Sequence, residues 1–363
     1  MERQESLWEL FQRKDLSRRS FLKTCVAITG MLGLSPAMIP QVVSAAENNP
    51  LTPLIWLHGH ECTGCDETFI RSQSPLASDV VLNMISLEYM DVLGAAAGEP
   101  LEHHLAETMQ KYNGKYLLAV EGAVPLADDG THCMVGGKPF VENLKEAARG
   151  AAAIIEVGSC AAWGGVQAAR PNPTKSVAVS DVVSGKPIIK IPGCPPIPEV
   201  LTGVVMHYVL FGQIPPLDGK GRPKQFFGNR IHDTCYRRPF FDSGMFVEKF
   251  DDMGSKAGWC LYKVGCRGPE AYNSCGNMRW WNGLSYPIQS GAPCVGCGSN
   301  NFWDNDPFYE RLPNIPVPNT IANADKVGLV LAGAATAGVV AHGVASYVYH
   351  KKHEGHDDGE HKE

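Results

Sequence analysis

Eleven residues in this chain have the types and the spacing to hold metal. Two of them lie in Glu61-Cys62-Thr63-Gly64-Cys65-Asp66-Glu67, directly after the apolar run Pro53–His58. Two cysteines three positions apart on a tight loop can turn both thiolates toward one centre, and Gly64 lets the backbone approach a bulky group closely. A strand ending in such a loop, with a helix restarting at Asp66, also aims backbone N–H groups at the site, which favours a negatively charged centre. Alone, the pair fits a redox dithiol, half of a zinc site, or part of an iron–sulfur cluster.

The elements around the pair narrow the choice. Short apolar runs at 53–58, 80–87, 116–121, 152–158 and 187–192 read as strands buried on both faces, with helical patterns near 66–73, 99–112, 139–149 and 196–211 between them. This alternation predicts an α/β fold over residues 50–227, a flavodoxin-like, doubly wound parallel sheet whose ligands lie beyond the carboxyl ends of the strands. Cys62, Cys65, Cys160 in Gly158-Ser-Cys160, and Cys194 in Pro192-Gly-Cys-Pro-Pro196 all fall at such ends. Four thiolates suit zinc or a [4Fe–4S] cluster. Zinc draws on paired knuckles close in sequence, whereas here 2, 94 and 33 residues intervene, which favours a cubane held in a fold crevice.

From about Gly228 the alternation stops, and Cys, Trp, Pro and Gly become dense. Residues 228–312 read as an irregular domain with two further ligand groups: His232, Cys235, Cys260 and Cys266, then Cys275, Cys294 and Cys297. A segment so poor in regular structure needs staples, and bound clusters would supply them. Of twelve cysteines, Cys25 lies in a leader. Setting Cys133 aside and adding His232 leaves ligands that divide as four, four and three. A disulfide framework would leave one cysteine over and would not explain His232.

The ends carry addresses. Ser17-Arg18-Arg19-Ser20-Phe21-Leu22-Lys23, a mildly apolar run to Met38 and Val43-Ser-Ala-Ala46 read as a twin-arginine signal peptide over 1–46, exported with the protein already folded. After a Pro-rich linker at 313–326 (Pro313, Pro316, Pro318), residues 327–349 would span roughly 34 Å as a helix, enough for a transmembrane anchor. Its small residues suit close packing on another membrane helix. Lys351-Lys352 place the tail at 350–363 in the cytoplasm and the body outside. His342 within the span either contacts a haem or quinone of a partner or hydrogen-bonds a neighbouring helix. A net charge of −6 with no nucleic-acid motif argues against a nucleic-acid partner.

Taken together, Arg18-Arg19-Ser-Phe-Leu-Lys23, Glu61-Cys-Thr-Gly-Cys65, Gly158-Ser-Cys160, Pro192-Gly-Cys-Pro-Pro-Ile-Pro198, Arg230-Ile-His-Asp-Thr-Cys235, Pro287-Ile-Gln-Ser-Gly-Ala-Pro-Cys-Val-Gly-Cys297 and Phe302-Trp-Asp304 resemble the small subunit of membrane-bound, periplasm-facing [NiFe] hydrogenases over nearly the whole length. The resemblance implies a proximal [4Fe–4S] cluster on Cys62, Cys65, Cys160 and Cys194. It implies a distal [4Fe–4S] cluster on His232, Cys235, Cys260 and Cys266, and a medial [3Fe–4S] cluster on Cys275, Cys294 and Cys297. Pro287 stands where a fourth medial thiolate would be. It further implies a large subunit with the nickel–iron centre, a membrane cytochrome b or equivalent quinone-reducing partner, no catalytic residue in this chain, and a dimer of heterodimers. Oxygen-tolerant relatives add two proximal cysteines, by the resemblance at the positions of Gly64 and Cys133. With glycine at 64, an ordinary cubane is expected. Glu67 is a candidate for relaying protons or accepting an interfacial hydrogen bond, or is a helix-start carboxylate. His58 and His60 either tune the cluster or face the partner, and Trp280-Trp281 and Phe302-Trp303 shield the clusters from water.

Two other readings make different predictions. A quinone-side subunit of respiratory complex I shares the first domain and a single cubane, but lacks the leader and the second cysteine-rich region. An anchored binding protein stapled by disulfides would be colourless and free of iron.

Overall fold

The computed structural model describes residues 5–73, 75–305, 307–312, 314–317 and 320–353. Pro313 and Pro318 of the expected linker, and 354–363 of the expected tail, lie outside the described residues. The chain forms two compact units, Met1–Arg311 and Leu312–Glu363.

Five strands centre the first unit: β1 Pro53–His58, β2 Ser86–Met90, β3 Tyr116–Glu121, β4 Ala151–Val157 and β5 Ile188–Ile191. They are all parallel, in the order β2–β1–β3–β4–β5. The helices are α1 Leu7–Arg13, α2 Arg18–Met31, α3 Ile39–Asn48, α4 Gly64–Ile70, α5 Glu99–Lys111, α6 Phe140–Gly150, α7 Gly158–Trp163, α8 Pro198–Phe211 and α9 Ala324–His353. The period-2 pleat divides the strand residues between two cores. Leu117 and Ala119 of β3 and Ala153, Ile155 and Val157 of β4 face α4 and α8, whereas Leu118, Val120 and Ile154 face α5 and α6. Pro198 opens α8 and Gly212, in the left-handed conformation, closes it.

Four of the expected strands form close to their expected bounds, and one moves. The run at 80–87 is a π-helical turn, Val80–Met84, and β2 starts only at Ser86. Val80 and Met84 are buried while Leu82 is 61% exposed. That is helical spacing, which a short apolar run does not distinguish from a strand. Beyond α8 the expected loss of regular structure holds: up to Leu312 there are only short helices and turns among the described residues. The region expected to leave as a signal peptide is folded as α1–α3 within this unit.

The second unit holds an antiparallel pair, Asn314–Val317 with Thr320–Asn323, and α9. Within α9, Lys326–Lys352 is long and apolar enough to cross a membrane, its most apolar stretch of 18 residues having a mean hydropathy of 1.8.

One ion pair sits inside the sheet. Glu156 on β4 is fully buried and pairs in register with Lys190 on β5. Lys190 Nζ lies 3.1 Å from the carboxylate and donates to the Ala162 carbonyl at 2.8 Å and Ser180 Oγ at 2.7 Å. Burial pushes the Glu156 carboxyl up to about 7, with Lys190 pulling the other way. Removing one partner strands the other charge, so Lys190→Met is expected to cost about 3–5 kcal/mol. The double variant with Glu156→Leu should recover most of that loss. Denaturation midpoints check this, and a single variant no less stable than the double would contradict it.

Candidate metal centres

β1 ends at His58, and the loop that follows carries the first cysteine pair. Thr63 sits in the left-handed region at φ 58°, unusual for a β-branched residue, and turns the chain sharply into α4. β4 ends in α7, which carries Cys160, and β5 leads through Gly193 to Cys194. The Cys62–Cys65 loop, Cys160 and Cys194 thus come from three neighbouring strand ends. Glycines make the space: a Cβ at Gly158 would stand 2.5 Å from Cys65 Sγ, and one at Gly165 would stand 2.5 Å from Cys160 Sγ. Both positions have positive φ.

The electrostatics speak against a redox dithiol. Reactive pairs have depressed thiol pKa values. Here burial, reinforced by Glu121 and by Cys160 and Cys194, pushes Cys65 well above the usual thiol range. Burial likewise raises Cys160 to about 11 and Cys194 to about 12. Such thiols give up a proton readily only to a metal that replaces it. Cys62 and Cys194 are the exposed members of the group.

The second and third groups each line a cavity. Cys275, Cys294 and Cys297 surround a space of about 110 Å³ with Pro287, Ile288, Trp280 and Cys194. His232, Cys235, Cys260 and Cys266 line a smaller one of about 20 Å³, again with Ile288. Burial raises Cys260 to about 11, and Cys266 and Cys275 to about 12. Burial also holds the His232 imidazole down to about 4, with Arg238 adding to it, so the ring is neutral and able to ligate. Its Nε2 is buried with no hydrogen-bond partner, an acceptor waiting for an electrophile.

No two of the twelve cysteines are joined in a disulfide in this structure. A single zinc ion with bonds of about 2.3 Å would hold its thiolates about 3.8 Å apart. Among the described residues, the sole group of three ligand types with all its atoms within 4.8 Å is His58, Asp66 and Glu121. Among the described residues, no three cysteines form such a group.

Adjacent sites share walls. Ser159 Oγ accepts from Gly193 N–H at 3.0 Å and donates to the Cys297 carbonyl, while Ser159 N–H donates to the Gly193 carbonyl at 2.8 Å. One buried serine therefore ties the Cys160 loop to the Cys194 loop and both to Cys297. On the far side, Arg267 N–H donates to the Cys294 carbonyl at 2.7 Å, next to Cys266. The order is strand-end group, then Cys275–Cys294–Cys297, then the His232 group.

Glu121, Asp66, Asp91 and Ser159 were not among the residues expected to ligate or tune. Glu121, 1% exposed at the end of β3, accepts from Cys65 N–H at 3.1 Å. Burial, with Asp66 nearby, pushes its carboxyl up to about 8. His58 Nε2 stands 2.9 Å from Asp66, and Nδ1 bonds Asp91. Burial lowers the His58 pKa, but the two carboxylates outweigh it and raise it to about 10. A buried Glu at the carboxyl end of a parallel strand, beside a cysteine loop, was the signal available for Glu121. Glu67 is exposed and pairs with Arg71. Trp280 lines the middle cavity, whereas Trp281 faces Arg71. Cys133 packs against the core that α5 and α6 cover, and burial with the Glu61 charge raises its thiol to about 11. It therefore lies within electrostatic reach of the first cysteine loop. A Cβ at Gly64 would stand 3.1 Å from Cys62 Sγ.

Fold and site together define a metal-binding redox subunit, and comparison with known proteins narrows the class. Residues 62–208 match the family described as NADH ubiquinone oxidoreductase, 20 Kd subunit, and 227–309 match the family described as the C-terminal part of the NiFe/NiFeSe hydrogenase small subunit. The chain is 53% identical over 355 residues to the uptake hydrogenase small subunit of Azotobacter vinelandii, covering 98% of this chain and 99% of that one. It is 54% identical over 344 residues to the same subunit of Cupriavidus necator, covering 95% and 96%. A chain of the reduced, active Ni-Fe-Se hydrogenase from Desulfomicrobium baculatum superposes with a TM-score of 0.68 at 33% identity, covering 72% of this chain and 100% of that chain. The chain belongs to the family of uptake [NiFe] hydrogenase small subunits. It is the electron-transfer subunit of a hydrogenase complex, in a family whose small subunits hold iron–sulfur clusters and pair with a large subunit.

The glycine cradle gives a direct check. Gly158→Ala adds a methyl where Cys65 Sγ lies and is expected to remove about four irons per chain. Iron analysis of the purified complex reads this, and unchanged iron would contradict the assignment of that cradle.

Proposed function

We propose that the chain relays electrons from hydrogen oxidation in the large subunit through three clusters to a membrane cytochrome b or equivalent quinone-reducing partner. One observation carries the reading: three ligand groups stand in a row within one unit, and neighbours share wall residues. When bound, the clusters supply one-electron carriers at three successive positions.

The chain's own residues set the terms of that relay. Cys62, Cys65, Cys160 and Cys194 hold the proximal [4Fe–4S] site, with exposed Cys62 on the side of the large subunit and Cys194 in the wall shared with the medial site. Cys275, Cys294 and Cys297 hold the medial [3Fe–4S] site, where Pro287 in the wall withholds a fourth thiolate. His232, Cys235, Cys260 and Cys266 hold the distal [4Fe–4S] site, and the neutral imidazole removes one negative charge there. Net charge and hydrogen bonds to sulfur are levers on potential. Gly296 N–H to Cys294 Sγ at 3.3 Å, and Arg237 N–H to Cys235 Sγ at 3.4 Å, act as such bonds. With these ligands assigned, no cysteine pair is left for nickel, so hydrogen activation stays with the large subunit.

The strand order supports the flavodoxin-like form of the first domain, residues 50–227, followed by the cluster domain at 228–312. The twin-arginine leader at 1–46 and the helix at 327–349 support a body facing the periplasm, anchored in the cytoplasmic membrane beside the acceptor, with 350–363 inside. A dimer of such heterodimers completes the reading.

Pro287→Cys tests the middle step. Offering a fourth thiolate is expected to add about one iron per chain and to abolish the EPR signal of an oxidised three-iron cluster, while dye-linked hydrogen oxidation continues more slowly. Unchanged iron with the same signal would contradict the place given to Pro287.

A further inference from the structure

We infer that the leader of the uncleaved chain is docked on its own folded body, with its apolar run enclosed between α1, α3 and α8, and must undock before export. The inference rests on the reading of residues 1–46 as a leader.

The body provides an unusual surface. An ordinary surface helix has one apolar stripe. α8 is buried over most of its circumference, with Val200, Leu201, Val204, Val205, Val209 and Leu210 all inside. The sheet can cover one side of it only. α2 and α3 pack on α8 as well and join the same core.

The leader's apolar stripe is enclosed by its own helices as well as by α8, with the Phe21 ring 4.9 Å from that of Trp8 and 5.6 Å from that of Phe11. Phe21, Cys25, Ile28 and Leu32, at helical spacing along α2 and its C-terminal cap, are exposed by no more than 2%, whereas Leu22 and Val26 are 39% and 49% exposed. Polar clasps fix the fit of the leader at two places, and Asn49, just beyond it, donates through Nδ2 to the Leu210 carbonyl of α8 at 2.6 Å. Lys14 Nζ donates to the Leu82 carbonyl at 2.9 Å and Asn83 Oδ1 at 2.7 Å. Gln225 Nε2 reaches back to the Met31 carbonyl at 3.5 Å.

The twin arginines are treated differently. Arg18 and Arg19 stay exposed, Arg18 lying 3.7 Å from Glu47 and 5.8 Å above the Trp8 ring. The arginines are thus on display while the apolar run behind them is sequestered. A receptor can meet the arginines on the folded chain, but the run becomes available only when α2 leaves α8. Release uncovers apolar surface on both elements, which opposes it and makes the docking a gate rather than a loose tail.

Cys25 is a built-in reporter, since it lies in the centre of the stripe. The leader-bearing chain, accumulated with Arg18→Lys/Arg19→Lys, is treated with a maleimide, and Cys25 modification is followed by peptide mass spectrometry. A synthetic peptide of residues 1–48 gives the unprotected rate. The docked leader predicts modification at least tenfold slower than in the peptide, and Phe21→Asp/Ile28→Asp should restore the peptide rate. A rate within threefold of the peptide, or slow modification that survives the double substitution, would overturn the inference. The leader reading is tested separately: it fails if the lysine variant is still exported and shortened, or if the membrane-bound enzyme still begins at Met1.

Discussion

Burying a thiol is costly unless something replaces its proton, and this molecule buries many in loops that have little else to order them. Every described group of three or four ligands combines raised thiol pKa values with a glycine cradle or a cavity. Metal binding at such sites is folding free energy as well as function. The sheet needs no such help, since alternating side chains fill a core on each face. Among the described residues up to Leu312, the region after α8 has no comparable ladder, and hydrogen bonds such as that from Arg267 N–H to the Cys294 carbonyl tie its loops.

The same constraint organises the relay. Sites built from neighbouring loops necessarily share walls, and the shared walls bring the sites close. Ser159 joins the strand-end group to Cys297, and Ile288 borders both cavities beyond it. Beside the first site lies a cluster of titratable groups: His58 between buried Asp66 and half-buried Asp91, and Glu121 on the Cys65 amide. Such groups next to a metal centre are levers on its local charge.

Much of this was legible in the sequence because apolar runs and cysteine spacings are strong signals. The runs at 53–58 and 116–121 became β1 and β3 without change, and the region after Gly228 proved as irregular as its composition suggested. The run at 80–87 failed because Val80, Val81 and Leu82 satisfy strand and helix patterns alike, and only packing decides. Glu121 and Ser159 were hidden for another reason. Each is an ordinary residue whose importance comes from what lies across space, Cys65 for one and Cys297 for the other. The packing of α2 on α8 was hidden likewise, since it depends on which side of α8 the rest of the fold leaves uncovered.

The proposed relay rests on a four, four and three partition of ligands among iron–sulfur clusters. Iron and acid-labile sulfide per purified mature chain, corrected for the large subunit's iron and paired with EPR of the oxidised sample, test it most directly. About eleven irons and the signal of one oxidised three-iron cluster are expected. A chain without iron, its cysteines paired as disulfides under non-reducing mass spectrometry, would contradict it.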